Sequence, residues 1–100
     1  MQEAIDKKIC EVMQRYPVRK AALFGSAARN ELRDDSDIDI LVEFFPGSIG
    51  ILFFGLEEDL SVSLERKVDL VTFNSLANQA HPLFRANVQR DMRIIYESIN

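Results

Sequence analysis

Two aspartates at the start of an apolar run are the residues of this sequence best suited to chemistry. They are Asp37 and Asp39, which end the stretch "GSAARNELRDDSDID" (residues 25–39) and precede "ILVEFF". On a strand, residues i and i+2 point to the same side, so the two carboxylates would project together. Ionised carboxylates this close repel each other unless a cation lies between them. Magnesium prefers oxygen ligands and commonly binds one or two carboxylates together with substrate phosphates. The pair therefore predicts a magnesium site.

A Gly-Ser pair ten residues before Asp37 predicts a place for phosphate. Gly25 has no side chain, so a ligand can approach its backbone, and Ser26 is a favourable N-cap for a short helix. Free backbone N–H groups and the helix dipole at such an N-terminus attract phosphate. If the strands that carry the two motifs are neighbours, the phosphate lies beside the metal, which suits a nucleoside triphosphate.

A third carboxylate, Asp69, lies inside the apolar segment "KVDLVTF". If its strand lies beside that of Asp37, the three carboxylates form a triad. Asp69 could then ligate a second metal and help to deprotonate an attacking hydroxyl. Two metal ions about 3.5–4 Å apart could stabilise both the attacking and the leaving oxygen of a phosphoryl-type transfer.

Each of these residues also has a purely structural interpretation. Asp37 and Asp39 could lie at a solvated strand entry, and Asp69 could face water from an edge strand. Ser26 could serve only as a helix cap. Asp35 and Asp37 share the same i, i+2 spacing. We prefer Asp37 and Asp39 because they adjoin the apolar strand and fit the ten-residue gap after the Gly-Ser pair.

The elements that must hold these residues follow from the spacing of apolar side chains. The pattern predicts helices over 3–16, 26–32, 49–65 and most of 75–92, and strands over 18–24, 37–44, 66–73 and 93–97, with a loop at 33–36. Alternation in the second strand places Ile38 and Ile40 on one face and Asp39 and Leu41 on the other. The order α-β-α-β-α-β-α-β predicts an α/β (α+β) fold, a mixed sheet of about four strands with helices packed on it, in a single domain over residues 1–100.

Composition narrows the class of protein. The formal net charge is −4, which argues against a dedicated nucleic-acid-binding protein, since those usually carry a basic face. Cys10 is the only cysteine, so an internal disulfide is excluded. We see no signal peptide, and the longest apolar stretch, "IGILFFGL", is far shorter than the roughly 20 residues of a membrane span. We therefore expect a cytoplasmic protein that does not enter a membrane.

In combination, these motifs resemble a known family. Gly25-Ser26, ten intervening residues, Asp37-Ile38-Asp39 and then Asp69 resemble the signature of the nucleotidyltransferase fold shared with the DNA polymerase beta superfamily. The flanking segments "AALFGSAAR", "SDIDILVEF" and "KVDLVT" are most similar to the stand-alone minimal nucleotidyltransferases. Each short motif is weak alone, whereas the set at this spacing is specific, and the resemblance spans nearly the whole chain.

The resemblance implies transfer of a nucleotide from a triphosphate, with ATP as the expected donor and two magnesium ions. By position, Asp37 and Asp39 would bind both ions, and Asp69 would join the second and activate the acceptor. Gly25 and Ser26 would hold the triphosphate.

Two neighbouring positions complete this comparison. Arg29 matches a commonly basic position and is expected to contact phosphate, with a surface ion pair as the alternative. Asn30 stands where relatives often have glycine. Asparagine tolerates the left-handed backbone conformation, so a turn at this position is expected to survive.

Many relatives pair with a small helical partner of the HEPN type as a toxin–antitoxin module, and some transfer AMP to a tyrosine of that partner. We therefore expect a magnesium-dependent protein adenylyltransferase that acts as an antitoxin. The alternative is an antitoxin that neutralises its partner by binding alone. Phe53 and Phe54 are adjacent, so a helix cannot bury both on one narrow face, and one could contact a partner. A tRNA nucleotidyltransferase is disfavoured by the net charge.

Overall fold

The computed structural model describes residues 2–33, 35–48, 50–79 and 82–98. The elements in chain order are α1 (Gln2–Met13), β1 (Val18–Phe24), α2 (Gly25–Ala28), β2 (Ile38–Phe44), α3 (Ile51–Leu64), β3 (Val68–Thr72), α4 (Phe73–Gln79), α5 (Pro82–Asp91) and β4 (Arg93–Glu97). This order confirms the predicted alternation of helices and strands. The predicted loop and helices also included residues 34, 49, 80 and 81, which lie outside the described residues.

The four strands form one mixed sheet in the order β3-β2-β1-β4. β1 is antiparallel to both β2 and β4, whereas β2 and β3 are parallel. Parallel neighbours need a crossover connection, and α3 supplies it. The C-terminal end of β1 and the N-terminal ends of β2, β3 and β4 therefore lie at the same edge of the sheet, and this edge carries the predicted site.

One face of the sheet is covered by α1 and α3. The apolar stripe of α1 contributes Ile9, Val12 and Met13, and α3 contributes Leu56 and Leu60, all of them buried. They pack against one side of the strands, in a core whose sheet members include Val18, Ala21, Leu23, Ile38, Ile40, Val42, Val68 and Leu70. This larger core confirms that the predicted amphipathic helices pack on the sheet.

The other face is covered by α4 and α5 and holds a smaller core. Its buried members are Ala22, Phe24, Leu41, Leu76 and Val88. Leu41 lies on the face of β2 that also carries Asp39, as alternation predicts, and it is completely buried. β2 is apolar on both sides at its centre because helices cover both faces of the sheet.

Both boundaries of α2, beside the site, differ from the prediction. The helical turn expected over 26–32 is only α2, and the residue before it, Phe24, is its N-cap without a side-chain cap. The prediction that Ser26 is the N-cap is therefore wrong. The chain turns one residue earlier because Gly25 adopts φ +66°, which glycine allows without strain. Asn30 has φ +59°, so it adopts the left-handed conformation expected of it.

The predicted third strand and last helix also differ from the structure. The strand ends at Thr72, and α4 begins at Phe73, which was predicted to be strand. The Thr72 hydroxyl accepts a hydrogen bond from the backbone N–H of Ser75 at 3.0 Å, and such a cap stabilises a helix start at this point. In the described residues, no helix is long and apolar enough to cross a membrane.

Candidate active site

Two of the three predicted acidic residues lie side by side on neighbouring strands. β2 and β3 pair in parallel with Asp39 directly opposite Asp69, so both side chains project from the same face of the sheet. Asp37 comes two residues before Asp39, just ahead of the start of β2, so the prediction that this strand already includes Asp37 is wrong. The condition on which the triad depended, that the two strands are neighbours, is met.

Gly25 lies directly against Asp39. β1 and β2 pair with Phe24 opposite Asp39, which places the Gly-Ser pair immediately beyond this point. A Cβ atom added to Gly25 would lie 2.5 Å from Asp39 Oδ2, closer than van der Waals contact allows. The backbone of Gly25 therefore packs on the Asp39 carboxylate, and a larger residue there would displace this carboxylate.

The ionised form of Asp39 is electrostatically unfavourable when no cation is bound. Its side chain is half-buried, and desolvation by burial raises its pKa above the ordinary value of 3.8, with repulsion from Asp69 and Asp37 adding to the rise. Arg29 acts in the opposite direction and lowers this pKa. A carboxylate whose ionised form is disfavoured by its like-charged neighbours is stabilised by a bound cation. Carboxylate oxygens are the donors that magnesium prefers.

Asp37 and Asp69 are both exposed. The Asp37 carboxylate faces Lys67, with 4.0 Å between its Oδ2 and Lys67 Nζ. Across the described ranges, no three His, Cys, Asp or Glu side chains are grouped closely enough to hold a metal ion. Asp37, Asp39 and Asp69 thus lie at one edge of the sheet, open to solvent, and in this arrangement they do not form a closed metal site.

A cavity of about 180 Å³ opens beside Asp39. β1 and α2 contribute Phe24 and Gly25, the residue after α2 is Arg29, and one side of α5 contributes Asn87, Val88 and Asp91. α5 therefore forms a wall of the candidate site. The sequence motifs did not point to these α5 residues, since they lie about fifty residues beyond Asp39; the only signal was their spacing on one helix face.

Arg29 lies at the rim of this cavity and is held by two carboxylates. Its Nε donates to Glu31 Oε1 at 2.6 Å, and its Nη1 donates to Asp91 Oδ2 at 3.3 Å. The hydrogen bond to Glu31 is the largest cause of a raised pKa for Arg29. The ion pair that was the alternative for Arg29 is present, and the residue also borders the candidate site. Its contact with phosphate stays a prediction.

Ser26 lies in the first turn of α2 and is half-buried. Its backbone carbonyl accepts a hydrogen bond from the N–H of Glu31 at 2.8 Å, which closes the turn after α2. In the part of the chain that the structure describes, the Ser26 hydroxyl has no hydrogen-bond partner. It is therefore available to a ligand at the same edge of the sheet as Asp39.

Residues 7–99 match the family model described as "Polymerase beta, Nucleotidyltransferase". The chain belongs to this family. A Methanocaldococcus jannaschii protein with the provisional name of protein adenylyltransferase is 39% identical over 84 residues, which are 84% of this chain and 86% of that protein. The protein adenylyltransferase MntA of Thermococcus cleftensis is 44% identical over 66 residues, which are 66% of this chain and 67% of MntA.

A solved structure extends the comparison to the fold. In the structure of a tri-AMPylated Shewanella oneidensis HEPN toxin in complex with an MNT antitoxin, one chain matches with a TM-score of 0.69 and 23% identity. The match covers 98% of this chain and 74% of the other. The predicted nucleotidyltransferase fold, the predicted family and the predicted enzyme class are confirmed.

Proposed function

We propose that this nucleotidyltransferase uses magnesium to transfer AMP from ATP to a hydroxyl group of a partner protein. The observation that carries the proposal is the placement of Asp39 directly opposite Asp69, with the Gly25 backbone packed on the Asp39 carboxylate. Relatives that cover most of this chain carry the name protein adenylyltransferase, which supports a protein as the acceptor.

In the proposed reaction, the acceptor hydroxyl gives its proton to Asp69, and its oxygen attacks the α-phosphorus of ATP. The bond between this phosphorus and the oxygen that bridges to the β-phosphorus breaks, and pyrophosphate leaves with the electron pair. Asp37, Asp39 and Asp69 would hold two magnesium ions, which neutralise charge on the phosphates and stabilise the attacking and leaving oxygens. Gly25 and Ser26 bind the triphosphate at the start of α2.

The proposed acceptor is a tyrosine of a HEPN-type toxin, and its modification neutralises the toxin. The AMPylated HEPN toxin in the S. oneidensis complex supports this choice of partner. The position of the carboxylates supports it as well: Asp37 and Asp69 are exposed, so a residue presented by another protein can reach them.

The test is a transfer assay with ATP labelled at the α-phosphate, magnesium and a purified HEPN-type toxin as the acceptor. We expect label on a tyrosine of the partner, identified by mass spectrometry, and none when magnesium is chelated or when Asp39→Ala replaces the wild type. Wild-type protein that leaves the partner unlabelled, no more active than Asp39→Ala, contradicts the proposal.

Neutralisation by binding alone is the second candidate, and exposed apolar residues on α3 favour it. Ile51, Phe54 and Val62 are 72%, 67% and 69% exposed, although the helix buries Leu56 and Leu60 on its other side. Such residues are typical of a protein contact. If Asp37→Ala/Asp39→Ala protein still neutralises the toxin fully in cells, this candidate is correct and transfer is not the source of the effect.

A further inference from the structure

Asp91 contacts the candidate site from outside the motifs that define it. It is the last residue of α5, and β4 begins two residues later at the edge of the sheet where Asp39 lies. Its side chain is only 22% exposed, and it lines the same cavity as Gly25, Arg29 and Asp39. This carboxylate therefore lies close enough to act on the site.

The contact that Asp91 makes there is with Arg29. Arg29 Nη1 donates to Asp91 Oδ2, while its Nε donates to Glu31 Oε1. The two carboxylates that bind Arg29 differ in exposure: the side chain of Glu31 is 60% exposed and that of Asp91 is 22% exposed. The hydrogen bond to Glu31 is the shorter of the two, whereas the ion pair with the less exposed Asp91 is less screened by solvent, so both carboxylates constrain the guanidinium.

Together, the Glu31 and Asp91 carboxylates leave part of the Arg29 guanidinium free. A guanidinium has five N–H donors in a fixed planar fork, and the two carboxylates use Nε and Nη1. In the described residues, Nη2 has no partner. The two N–H groups of Nη2 are therefore free to donate to a phosphate oxygen.

We propose that Asp91 is a positioning residue that holds the Arg29 guanidinium at the rim of the cavity, where its Nη2 donates to a phosphate of the donor nucleotide. The inference rests on the proposed function, because it requires a nucleoside triphosphate in the site. In this proposal α5 contributes to nucleotide binding through Arg29, and Asp91 itself does not contact the ligand.

A negative charge beside a phosphate site would normally weaken binding. Asp91 has a second cationic partner that offsets this effect, since its Oδ1 accepts a hydrogen bond from Arg90 Nε at 3.3 Å. The carboxylate thus lies between two guanidinium groups. Its positioning of Arg29 should therefore outweigh its repulsion of the ligand, and removal of Asp91 should weaken nucleotide binding.

The experiment measures the Kd of the full chain for magnesium with the non-hydrolysable analogue AMP-PNP, by isothermal titration calorimetry. We expect Asp91→Ala to raise Kd about 5- to 10-fold, in keeping with the loss of a positioned charge-assisted hydrogen bond. Asp91→Asn keeps an acceptor oxygen beside Arg29 and should stay within about threefold of the wild type. In an Arg29→Ala background, Asp91→Ala should have no further effect, because its effect passes through Arg29.

Asp6→Ala is the matched control. Asp6 is also a helical aspartate, its side chain is 21% exposed, and it pairs with Arg93 at 3.2 Å, but it does not contact Arg29. We expect its Kd to equal that of the wild type. Thermal unfolding of every variant separates loss of binding from loss of folding, and Asp91→Asn keeps the test available if Asp91→Ala fails to fold.

The outcomes separate this inference from the proposed function. Equal Kd values for wild type and Asp91→Ala, or equal effects of Asp91→Ala with and without Arg29, overturn the positioning role alone. Wild-type protein that binds the nucleotide but transfers no AMP overturns the proposed function and leaves the positioning role standing. Wild-type protein that binds no nucleotide overturns both.

Discussion

On one face of the sheet, α1 and α3 bury a continuous apolar core that includes Ile9, Met13, Leu56 and Leu60. On the other face, α4 and α5 cover a smaller core, and this face carries Asp39, Asp69 and the cavity bordered by α5. Burial of apolar surface stabilises the fold in proportion to its area, while partly buried carboxylates oppose folding. The comparison indicates that the α1–α3 face supplies most of the stability that lets the other face hold charge.

The largest effect should come from opening a cavity in the larger core. We expect Leu60→Ala, at a fully buried position, to lower the free energy of unfolding by about 3–5 kcal/mol. Leu76→Ala, in the smaller core at 6% exposure, should cost about 1–2 kcal/mol, since fewer neighbours surround it. Urea unfolding followed by circular dichroism measures both. A larger loss for Leu76→Ala would reverse the comparison.

The next effect concerns the site itself. We expect Gly25→Ala to lower AMP transfer by about 100-fold or more, because the added methyl displaces the Asp39 carboxylate and small displacements of reacting groups have effects of this size. Gly47→Ala is the control: Gly47 has φ +87°, but a Cβ there meets nothing within 4 Å. Both variants strain the backbone, and only the first should lose activity. Similar activity in the two variants would show that Asp39 tolerates the displacement.

A smaller effect tests the link between α1 and α3. The hydroxyl of Tyr16 donates to Asp59 Oδ2 at 2.8 Å, so Tyr16→Phe should lower the free energy of unfolding by about 1 kcal/mol. Tyr96 packs against the same core, and its hydroxyl has no partner in the described part of the chain, so Tyr96→Phe should be near neutral. Equal values from urea unfolding of the two variants would assign no net stabilisation to the hydrogen bond.

The smallest effect has the opposite sign. Asp39→Asn should raise the melting temperature of the metal-free protein at pH 7 by about 2–4 °C, because it removes a half-buried charge and its repulsion from Asp69 and Asp37. The expected rise in melting temperature is small because the Asp39 carboxylate is partly exposed and solvent screens its charge. Differential scanning calorimetry in EDTA measures the change. A lower melting temperature for Asp39→Asn would contradict the electrostatic description of the site.

The pH dependence of this effect follows from the raised pKa of Asp39. Between the ordinary value of 3.8 and the raised pKa, the folded state binds more protons than the unfolded state, so the wild type loses stability as pH rises through this window. The advantage of Asp39→Asn should therefore be absent well below pH 3.8 and complete above the raised pKa. Added magnesium should shrink it at pH 7, since the ion stabilises only the wild-type carboxylate.

Much of the fold was predictable because its signals are local. The apolar stripe of α1 and the alternation in β2 each depend on a few neighbouring residues. The start of α4 was missed because the hydroxyl of Thr72, which caps the helix, lies at a position that also suits a strand. Ser26 was assigned as the N-cap on residue type, whereas the backbone of Gly25 sets where α2 begins.

In the candidate site, too, the residues with local sequence signals were predictable and the others were not. Asp37, Asp39 and Gly25 were identified because their spacing is short and their chemistry is specific. Asp91 and Asn87 were not, because α5 reaches the site only through the tertiary fold. Nothing near Asp91 in sequence indicates that its partner is Arg29, 62 positions away. The motif therefore located the acidic edge of the sheet but not its opposite wall.

The parallel pairing of β2 and β3 has a consequence for the synthesis of the protein. When a nascent chain has left the ribosome as far as the end of α3, it already contains Gly25, Ser26, Asp37 and Asp39. Asp69, which pairs with Asp39 in the folded protein, has not yet emerged. This pairing depends on contact between segments about thirty residues apart, and such contacts form later than local ones. If Asp69 takes the proton of the acceptor as proposed, the nascent chain is inactive until β3 has paired with β2.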